Sequence, residues 1–289
     1  MFAALLCATV SILEAIVLGA IEGFTEFLPI SSTGHLTIAE KLMGFTIDDA
    51  DITAFTAIVQ IGAVAAVVLY FWSDLWGIVV ALARGLVDAE RRHTREFRFG
   101  LAVAVGSIPI AIAGLALRHV IEGPLRSLWV VGVALIAWSF AMLYADVNGS
   151  QRRTEDDFGM RDAVVMGLTQ CLALIPGVSR SGATITAGLL RGLDRVTVIR
   201  MSFFLAIPAL TAAALLEAVT KSSDISAAGG IGWGPTAVAI AVAFVVAYAS
   251  IAWLLRYVAG HNFGVFILYR IALGIVVLGL VATGVTSAT

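Results

Sequence analysis

Two stretches of an otherwise apolar chain concentrate the residues that could do chemistry. The first runs from Glu22 to His35 and reads Glu-Gly-Phe-Thr-Glu-Phe-Leu-Pro-Ile-Ser-Ser-Thr-Gly-His. The second covers 176–184 and reads Pro-Gly-Val-Ser-Arg-Ser-Gly-Ala-Thr. Carboxylates, an imidazole and a guanidinium are costly inside a membrane, where such groups usually serve a functional site. We therefore expect the two stretches to meet in one site.

The first stretch carries groups suited to cation binding and to nucleophilic attack. Glu22 and Glu26 are four residues apart, so on a helix they share one face. Two close carboxylates either share a proton or hold a cation, and their hard oxygens suit Mg²⁺ or Ca²⁺. Ser32 precedes His35 by three residues, and a hydroxyl beside an imidazole is typical of an activated nucleophile. The start of the next helix offers further donors for an anion, from Ser31, Thr33 and Gly34.

The second stretch carries a candidate phosphate clamp. Arginine suits bidentate recognition of phosphate, and Arg180 is accompanied by hydroxyl groups on Ser179, Ser181 and Thr184. A simpler interpretation makes Arg180 one half of a structural ion pair with the glutamates of the first stretch. Small hydroxyl residues in membrane helices can likewise be there only for close packing.

Two further polar residues lie within apolar segments. Gln60 is a candidate for lining the same site, because it interrupts an apolar run. The role of Arg270, in the sequence Leu-Tyr-Arg-Ile, stays open between pairing in the core and reaching toward the membrane surface.

The composition indicates an integral membrane protein. Of 289 residues, 60% are hydrophobic and 13% are charged, with a mean hydropathy of +0.99. Soluble domains have about 45–50% apolar and about 25% charged residues. Basic residues form no aromatic-rich patch, which argues against nucleic acid as a partner. Segments of the length that a transmembrane helix needs are 52–72, 98–117, 127–146, 198–219, 235–257 and 265–284.

Two other apolar stretches, 11–44 and 162–192, are each broken in the middle by a proline. Pro29 and Pro176 interrupt a helix, because proline lacks a backbone donor and clashes with the preceding turn. Non-helical backbone is tolerated at membrane depth where it lines a protein cavity. We predict that both stretches are re-entrant helix–loop–helix hairpins. Residues 73–86 are predicted to form a helix at the membrane interface.

The order of these segments predicts an all-α membrane fold made of two repeats. A first repeat, 1–146, and a second, 162–289, each contain one hairpin and three spans, joined by a cytoplasmic linker at 147–161. Because three crossings is an odd number, the second repeat must be inverted relative to the first. Inverted repeats are common in transporters, whose sites lie near the midplane. The two hairpin loops are therefore expected to face each other.

The distribution of Arg and Lys sets the orientation. Most of these residues fall in the loops of one compartment, which the positive-inside rule makes the cytoplasm. The first hairpin then enters from outside and the second from the cytoplasm. The few basic residues expected on the outer side are Lys41, Arg118, Arg126 and Lys221.

At the two polar stretches the chain resembles the bacterial undecaprenyl pyrophosphate phosphatases, the bacitracin-resistance family. The matching motifs are Glu22-Gly-x-Thr-Glu-Phe-Leu-Pro-x-Ser-Ser-Thr-Gly-His35 and Pro176-Gly-x-Ser-Arg-Ser-Gly-Ala-Thr-Ile185. Shorter matches are Gln60-Ile-Gly, Gln170-Cys-Leu-Ala-Leu and Tyr269-Arg270.

The resemblance implies hydrolysis of undecaprenyl diphosphate to the monophosphate lipid carrier, which recycles the carrier for cell-wall synthesis and confers bacitracin resistance. It also implies a divalent cation, a polyisoprenyl diphosphate lipid as partner, a homodimer, and a bacterial plasma-membrane site that opens to the periplasm. In that framework the glutamates bind the cation, Arg180 clamps phosphate, and Ser32, His35 or water attacks. The rival prediction is a transporter or flippase of polyprenyl phosphate, which the same repeat would suit.

Overall fold

The computed structural model describes residues 10–46, 50–117, 120–121, 125, 127–226 and 231–287. Within these ranges the chain is helical. The α-helices in chain order are α1 Ile12–Thr25, α2 Ser32–Leu42, α3 Ala50–Tyr70, α4 Trp72–Val87, α5 Arg95–Ala116, α6 Leu128–Asn148, α7 Met160–Gln170, α8 Arg180–Leu190, α9 Arg195–Ser226, α10 Trp233–Val258 and α11 Gly264–Ala282. The predicted repeat ends at 1–9 and 288–289 lie outside the described residues.

Among the described residues, six helices are long and apolar enough to cross a membrane, and each coincides with one of the six predicted spans. They lie within α3, α5, α6, α9, α10 and α11. Their boundaries differ from the predicted ones by a few residues, because capping extends helices beyond the apolar run. Thr94, for example, caps α5 by accepting from the backbone N–H of Phe97. The predicted interfacial helix exists as α4, while its position at the interface stays a prediction.

Both proline-broken stretches form pairs of short helices, α1 with α2 and α7 with α8. The second helix of each pair begins in the same way. Ser31 and Ser179 both have φ +76°, a left-handed conformation that is rare outside glycine. Each hydroxyl accepts from the backbone N–H three residues on, at Gly34 and Gly182. The first loop therefore ends at Ser31, since Ser32 already belongs to α2.

The first helix of each pair packs tightly on a span from the other half of the chain. α1 lies along α10, and α7 lies along α5. Glycines permit the approach: a Cβ on Gly19 would lie 2.5 Å from the carbonyl oxygen of Ala239, and one on Gly167 would overlap the carbonyl of Gly106. Small residues at such positions let membrane helices approach closely. We call this arrangement exchanged packing, because the first helix of each pair packs on a span of the other half. It joins the two halves and brings their loops together.

The predicted linker is tied to the second hairpin by an ion-pair cluster centred on Asp162. Arg153 donates to both carboxylate oxygens at 2.9 and 2.7 Å, and Arg191 donates to one at 2.8 Å. Burial alone would raise the pKa of Asp162, but these hydrogen bonds outweigh it and lower the pKa below its ordinary value. Arg118 and Arg126, two of the basic residues assigned to the outer side, lie outside the described residues.

Asp162→Asn is expected to lower the free energy of unfolding by about 2 kcal/mol at neutral pH, because it removes a charged acceptor for two arginines. Since the folded-state pKa is lowered, this stabilisation is full above the unfolded pKa and is lost as the pH falls below about 4. Thermal unfolding of the solubilised proteins should therefore show a gap between wild type and variant that narrows in acid. A gap that widened in acid would contradict the assignment.

Candidate active site

The centre of the site is Glu26, which follows the last residue of α1 and is buried. One carboxylate oxygen accepts from the hydroxyl of Ser32 at 2.6 Å. The other accepts from Nη2 of Arg180 at 3.2 Å. The two polar stretches thus meet, as predicted. A carboxylate oxygen this close to a serine hydroxyl can accept its proton.

Glu22 lies one turn before Glu26 and is 2% exposed. Its Oε1 is buried and has no hydrogen-bond partner among the described residues. An unpaired buried carboxylate oxygen is costly, so a group from outside the chain is expected to satisfy it. The described residues contain no group of three or more His, Cys, Asp or Glu that could hold a metal. Binding of Mg²⁺ or Ca²⁺ by Glu22 and Glu26 stays a prediction, which rests on the preference of these cations for oxygen donors.

Arg180 is the first residue of α8 and points between the two hairpins. Besides Glu26, it donates from Nη1 to the carbonyl of Ser202 at 3.3 Å. Its guanidinium carbon lies 5.8 Å from the ring centroid of Phe27. Its Nε is buried and has no partner in the described part of the chain. The predicted ion pair therefore exists, and one donor of the guanidinium has no partner among the described residues.

The three-residue spacing predicted that the Ser32 hydroxyl lies beside the His35 imidazole, but the structure shows no hydrogen bond between these two side chains. The Nδ1 atom of His35 lies 2.7 Å from the carbonyl oxygen of Ser31, and its Nε2 lies 2.7 Å from the hydroxyl of Tyr269. A carbonyl only accepts, so Nδ1 carries a proton; in the neutral ring Nε2 then accepts from the phenol. The carboxylate that contacts the Ser32 hydroxyl is that of Glu26, and His35 forms a separate pair with Tyr269.

The hydroxyls of the second stretch mainly hold the loops in shape. Ser181 donates to the carbonyl of Leu28 at 2.9 Å, which links the two hairpins, and its oxygen lies 3.1 Å from that of Ser179. The hydroxyl of Thr184 lies 2.7 Å from that of Ser202. All three predicted hydroxyl residues are buried. Their role as phosphate ligands stays a prediction.

The remaining predicted residues make no hydrogen bond to the side chains of Glu26, Ser32 or Arg180 in the described part of the chain. Ser31 and Gly34 form the cap of α2, and Thr33 is exposed at its first turn. Gln60 is half-buried in α3 and makes no hydrogen bond within the described residues to the groups above. The lining role of Gln60 and the anion-binding role of the α2 cap stay predictions.

Arg270, whose role the sequence left open, joins both loops. It is completely buried in α11. It donates to the carbonyl of Pro29 at 3.1 Å in the first loop. It also donates to the carbonyls of Gly177 and Val178 at 3.0 and 3.1 Å in the second, and to the hydroxyl of Ser139 at 3.1 Å. One guanidinium thus satisfies three loop carbonyls that would otherwise be buried without donors.

Besides the order of segments, the sequence carries a direct match between the two halves. The segment 14–22, Glu-Ala-Ile-Val-Leu-Gly-Ala-Ile-Glu, aligns without gaps on 162–170, Asp-Ala-Val-Val-Met-Gly-Leu-Thr-Gln. The alignment pairs Gly19 with Gly167 and Glu22 with Gln170. Both positions of the second pair carry buried side-chain atoms without partners among the described residues. This match is a sequence signal for the predicted internal repeat, in addition to the order of segments.

Residues 15–276 match the family model described as "Bacitracin resistance protein BacA". "Undecaprenyl-diphosphatase 3" of Frankia casuarinae is 60% identical over 279 residues, covering 96% of this chain and 100% of the relative. "Undecaprenyl-diphosphatase" of Cutibacterium acnes is 51% identical over 281 residues, covering 96% and 99%. "Undecaprenyl-diphosphatase 1" of Streptomyces avermitilis is 50% identical over 281 residues, covering 97% and 100%. The resemblance drawn from the two motifs is confirmed, and the chain belongs to the bacitracin resistance protein BacA family.

Proposed function

We propose that this membrane protein hydrolyses undecaprenyl diphosphate to undecaprenyl phosphate and inorganic phosphate. The reaction recycles the lipid carrier for cell-wall synthesis and confers bacitracin resistance. The observation that carries the proposal is the hydrogen-bonded contact of Ser32, Glu26 and Arg180, which supports roles for them as nucleophile, base and phosphate-binding cation. Curated relatives that match nearly the whole chain carry the name of this activity.

In the proposed mechanism Arg180 binds the terminal phosphate and stabilises the charge that develops on it. Positioning and charge stabilisation do most of the work in phosphoryl transfer. The hydroxyl of Ser32 attacks the terminal phosphorus and passes its proton to Glu26. The bond from that phosphorus to the bridging oxygen breaks, which releases the lipid monophosphate. Water then cleaves the phosphoserine and yields inorganic phosphate.

Two alternative mechanisms use the same residues. In the first, a water molecule held at Ser32 attacks directly, and no covalent intermediate forms. In the second, His35 takes up a proton at Nε2, which otherwise accepts from the hydroxyl of Tyr269, and passes that proton to the leaving oxygen. A phosphoenzyme trapped at Ser32 or at His35 would identify the nucleophile.

Glu22 and Glu26 are the residues that would hold a divalent cation, because Glu22 keeps an unpaired buried oxygen beside the base. When bound, Mg²⁺ or Ca²⁺ supplies positive charge that offsets the charge of the diphosphate. Without the cation, Arg180 and the α8 cap still orient the phosphate. Activity before and after chelation, with Mg²⁺ or Ca²⁺ restored separately, tests this part.

The proposal includes an inverted repeat whose two hairpins are re-entrant and whose site opens to the periplasm. The exchanged packing of α1 on α10 and α7 on α5 supports it, as does the match of 14–22 with 162–170. A cysteine introduced at position 90, in the arginine-rich loop, should not react with a labelling reagent that is added outside the cell. A homodimer belongs to the same proposal by resemblance, and light scattering of the solubilised protein would test it.

Phosphate release by the purified protein tests the whole proposal. Undecaprenyl diphosphate in detergent, with Mg²⁺ or Ca²⁺, offers no second compartment, so hydrolysis there requires an enzyme. A flippase without phosphatase activity would release nothing in this assay. It would instead move labelled undecaprenyl phosphate across proteoliposomes.

Ser32→Ala is expected to lower phosphate release about 10²-fold or more, because the 2.6 Å hydrogen bond to Glu26 marks its hydroxyl as the group that the base activates. Thr169→Ala is the matched control, since that exposed hydroxyl donates only to the carbonyl of Val165 in its own helix. The control should keep wild-type turnover. Full activity in Ser32→Ala, with a normal melting temperature, would remove Ser32 from the role of nucleophile.

A further inference from the structure

The ring of His35 is held through both of its nitrogen atoms. Nδ1 lies 2.7 Å from the carbonyl oxygen of Ser31, and Nε2 lies 2.7 Å from the hydroxyl oxygen of Tyr269. The first partner is the cap of α2, the helix to which His35 belongs, while the second partner belongs to α11. Within the described residues the hydroxyl of Tyr269 makes no other hydrogen bond. The phenol is therefore directed at one imidazole nitrogen.

The phenol can hold the imidazole in both of its charge states. Because Nδ1 donates to a carbonyl, Nε2 of the neutral ring accepts from the hydroxyl of Tyr269. When Nε2 takes up a proton it becomes a donor, and the same phenol oxygen can then accept from it, since a hydroxyl has both roles. The ring of His35 can therefore keep its place while a proton moves on or off Nε2.

Tyr269 is itself held in place by the packing of α11. The next residue, Arg270, is completely buried and binds carbonyls of both hairpin loops. One turn further along α11, Leu273 packs against a small apolar cluster that contains Val277. Ile38, one turn beyond His35 on α2, packs against the same cluster. These contacts fix α2 relative to α11, and with it the distance between the imidazole and the phenol.

We propose that Tyr269 is a positioning residue that orients Nε2 of His35 for proton transfer to the leaving group. The proposal rests on the proposed hydrolase function. Nε2 takes up one proton from water and gives it to the bridging oxygen as the bond from that oxygen to the terminal phosphorus breaks, which restores the neutral ring. A general acid must lie within hydrogen-bond reach of the atom that receives its proton, and a small misplacement is costly in rate.

Tyr269→Phe is expected to lower kcat for undecaprenyl diphosphate about tenfold, because His35 loses the partner that orients Nε2. KM should stay near the wild-type value, since Arg180 still binds the phosphate. The two rings lie within 12° of parallel with centroids 5.5 Å apart, so a phenyl ring keeps this contact. Tyr248→Phe is the matched control. Tyr248 is 41% exposed against 45% for Tyr269, its ring packs on Tyr70, and its hydroxyl makes no hydrogen bond within the described residues.

The effect of Tyr269→Phe should depend on the presence of His35. In a His35→Ala protein the imidazole that the phenol orients is gone, so the same substitution should change kcat less than about twofold. Tyr248→Phe should leave kcat unchanged with or without His35. Single-turnover measurements at high enzyme concentration would give the rates of the slow variants, and melting temperatures would show that each variant is folded.

Nitrogen-15 NMR of protein with labelled histidine observes the contact without any turnover. The chain has four histidines, and His35→Ala identifies the signals of His35 by their loss. In wild type, Nδ1 should appear protonated and Nε2 should appear as an acceptor that is hydrogen bonded. In Tyr269→Phe, Nδ1 should keep its shift and Nε2 should move to the shift of an acceptor without a hydrogen bond.

Three results would overturn the assignment of Tyr269 while wild type releases phosphate normally. The first is a wild-type kcat in Tyr269→Phe. The second is an equal loss of kcat with and without His35, which would mean that the phenol acts on another group. The third is an Nε2 signal that does not respond to Tyr269→Phe. A wild-type protein that shows the NMR contact but releases no phosphate would instead refute the hydrolase proposal.

Discussion

Replacing Arg180 by alanine is expected to lower phosphate release about 10²-fold or more, the usual cost of deleting one group that stabilises developing charge. The guanidinium keeps a buried, unpaired Nε beside the serine and carboxylate of the first hairpin. Lysine should restore little, because it replaces a planar fork with a point charge. Phosphate release with undecaprenyl diphosphate, with kcat and KM measured separately, is the test.

Arg195→Ala is the matched control for this prediction. Arg195 also donates to a buried carboxylate, that of Asp146, at 2.8 Å, but it lies at the start of α9 and contacts neither loop. The Arg195→Ala protein should be less stable than wild type and keep most of its phosphatase activity. Near-normal turnover in both Arg180→Ala and Glu26→Gln would refute the site assignment.

The effects of Arg180→Ala and Glu26→Gln on turnover should also be strongly non-additive. Because Arg180 and Glu26 contact each other and act on one phosphate in the proposed mechanism, the double variant should be little slower than the worse single variant. An ion pair that served only folding would instead lower the melting temperature of all three variants without a matching change in kcat at a permissive temperature.

Replacing Arg270 by alanine is expected to cause the largest loss of stability from a single substitution outside the catalytic group. Three buried carbonyls and the Ser139 hydroxyl would lose their donor. Each buried polar group left unsatisfied costs about 1–3 kcal/mol, so the total is several kcal/mol. The loops would separate as well, so activity should fall with stability. Thermal unfolding and phosphate release of the same preparations measure both effects.

Ser139→Ala removes one of these four hydrogen bonds and is the matched control. It should cost about 1 kcal/mol and leave turnover near wild type. Arg270→Lys should lose less stability than Arg270→Ala and more than Ser139→Ala, since an ammonium group cannot reach both loops in the same geometry. A wild-type melting temperature in Arg270→Ala would contradict the role of Arg270 as the link between the hairpins.

The sequence alone was sufficient for the helical framework. Runs of about 20 apolar residues are required to cross a bilayer, so the six spans follow from composition along the chain. Pro29 and Pro176 break the two remaining stretches because proline cannot continue a helix. The meeting of the two polar stretches was also predictable, since a carboxylate pair and an arginine are too costly in apolar surroundings to stay apart.

Tertiary structure alone decided which polar groups form bonds with one another. Ser32 bonds Glu26, while His35 bonds Tyr269, 234 residues away in the chain. Arg270 reaches Pro29 across 241 positions. Local spacing could not reveal these partners, because helix periodicity relates only residues about one turn apart. Which buried groups face each other depends on how α1, α8 and α11 pack, and that packing is set by side-chain volumes along whole helices.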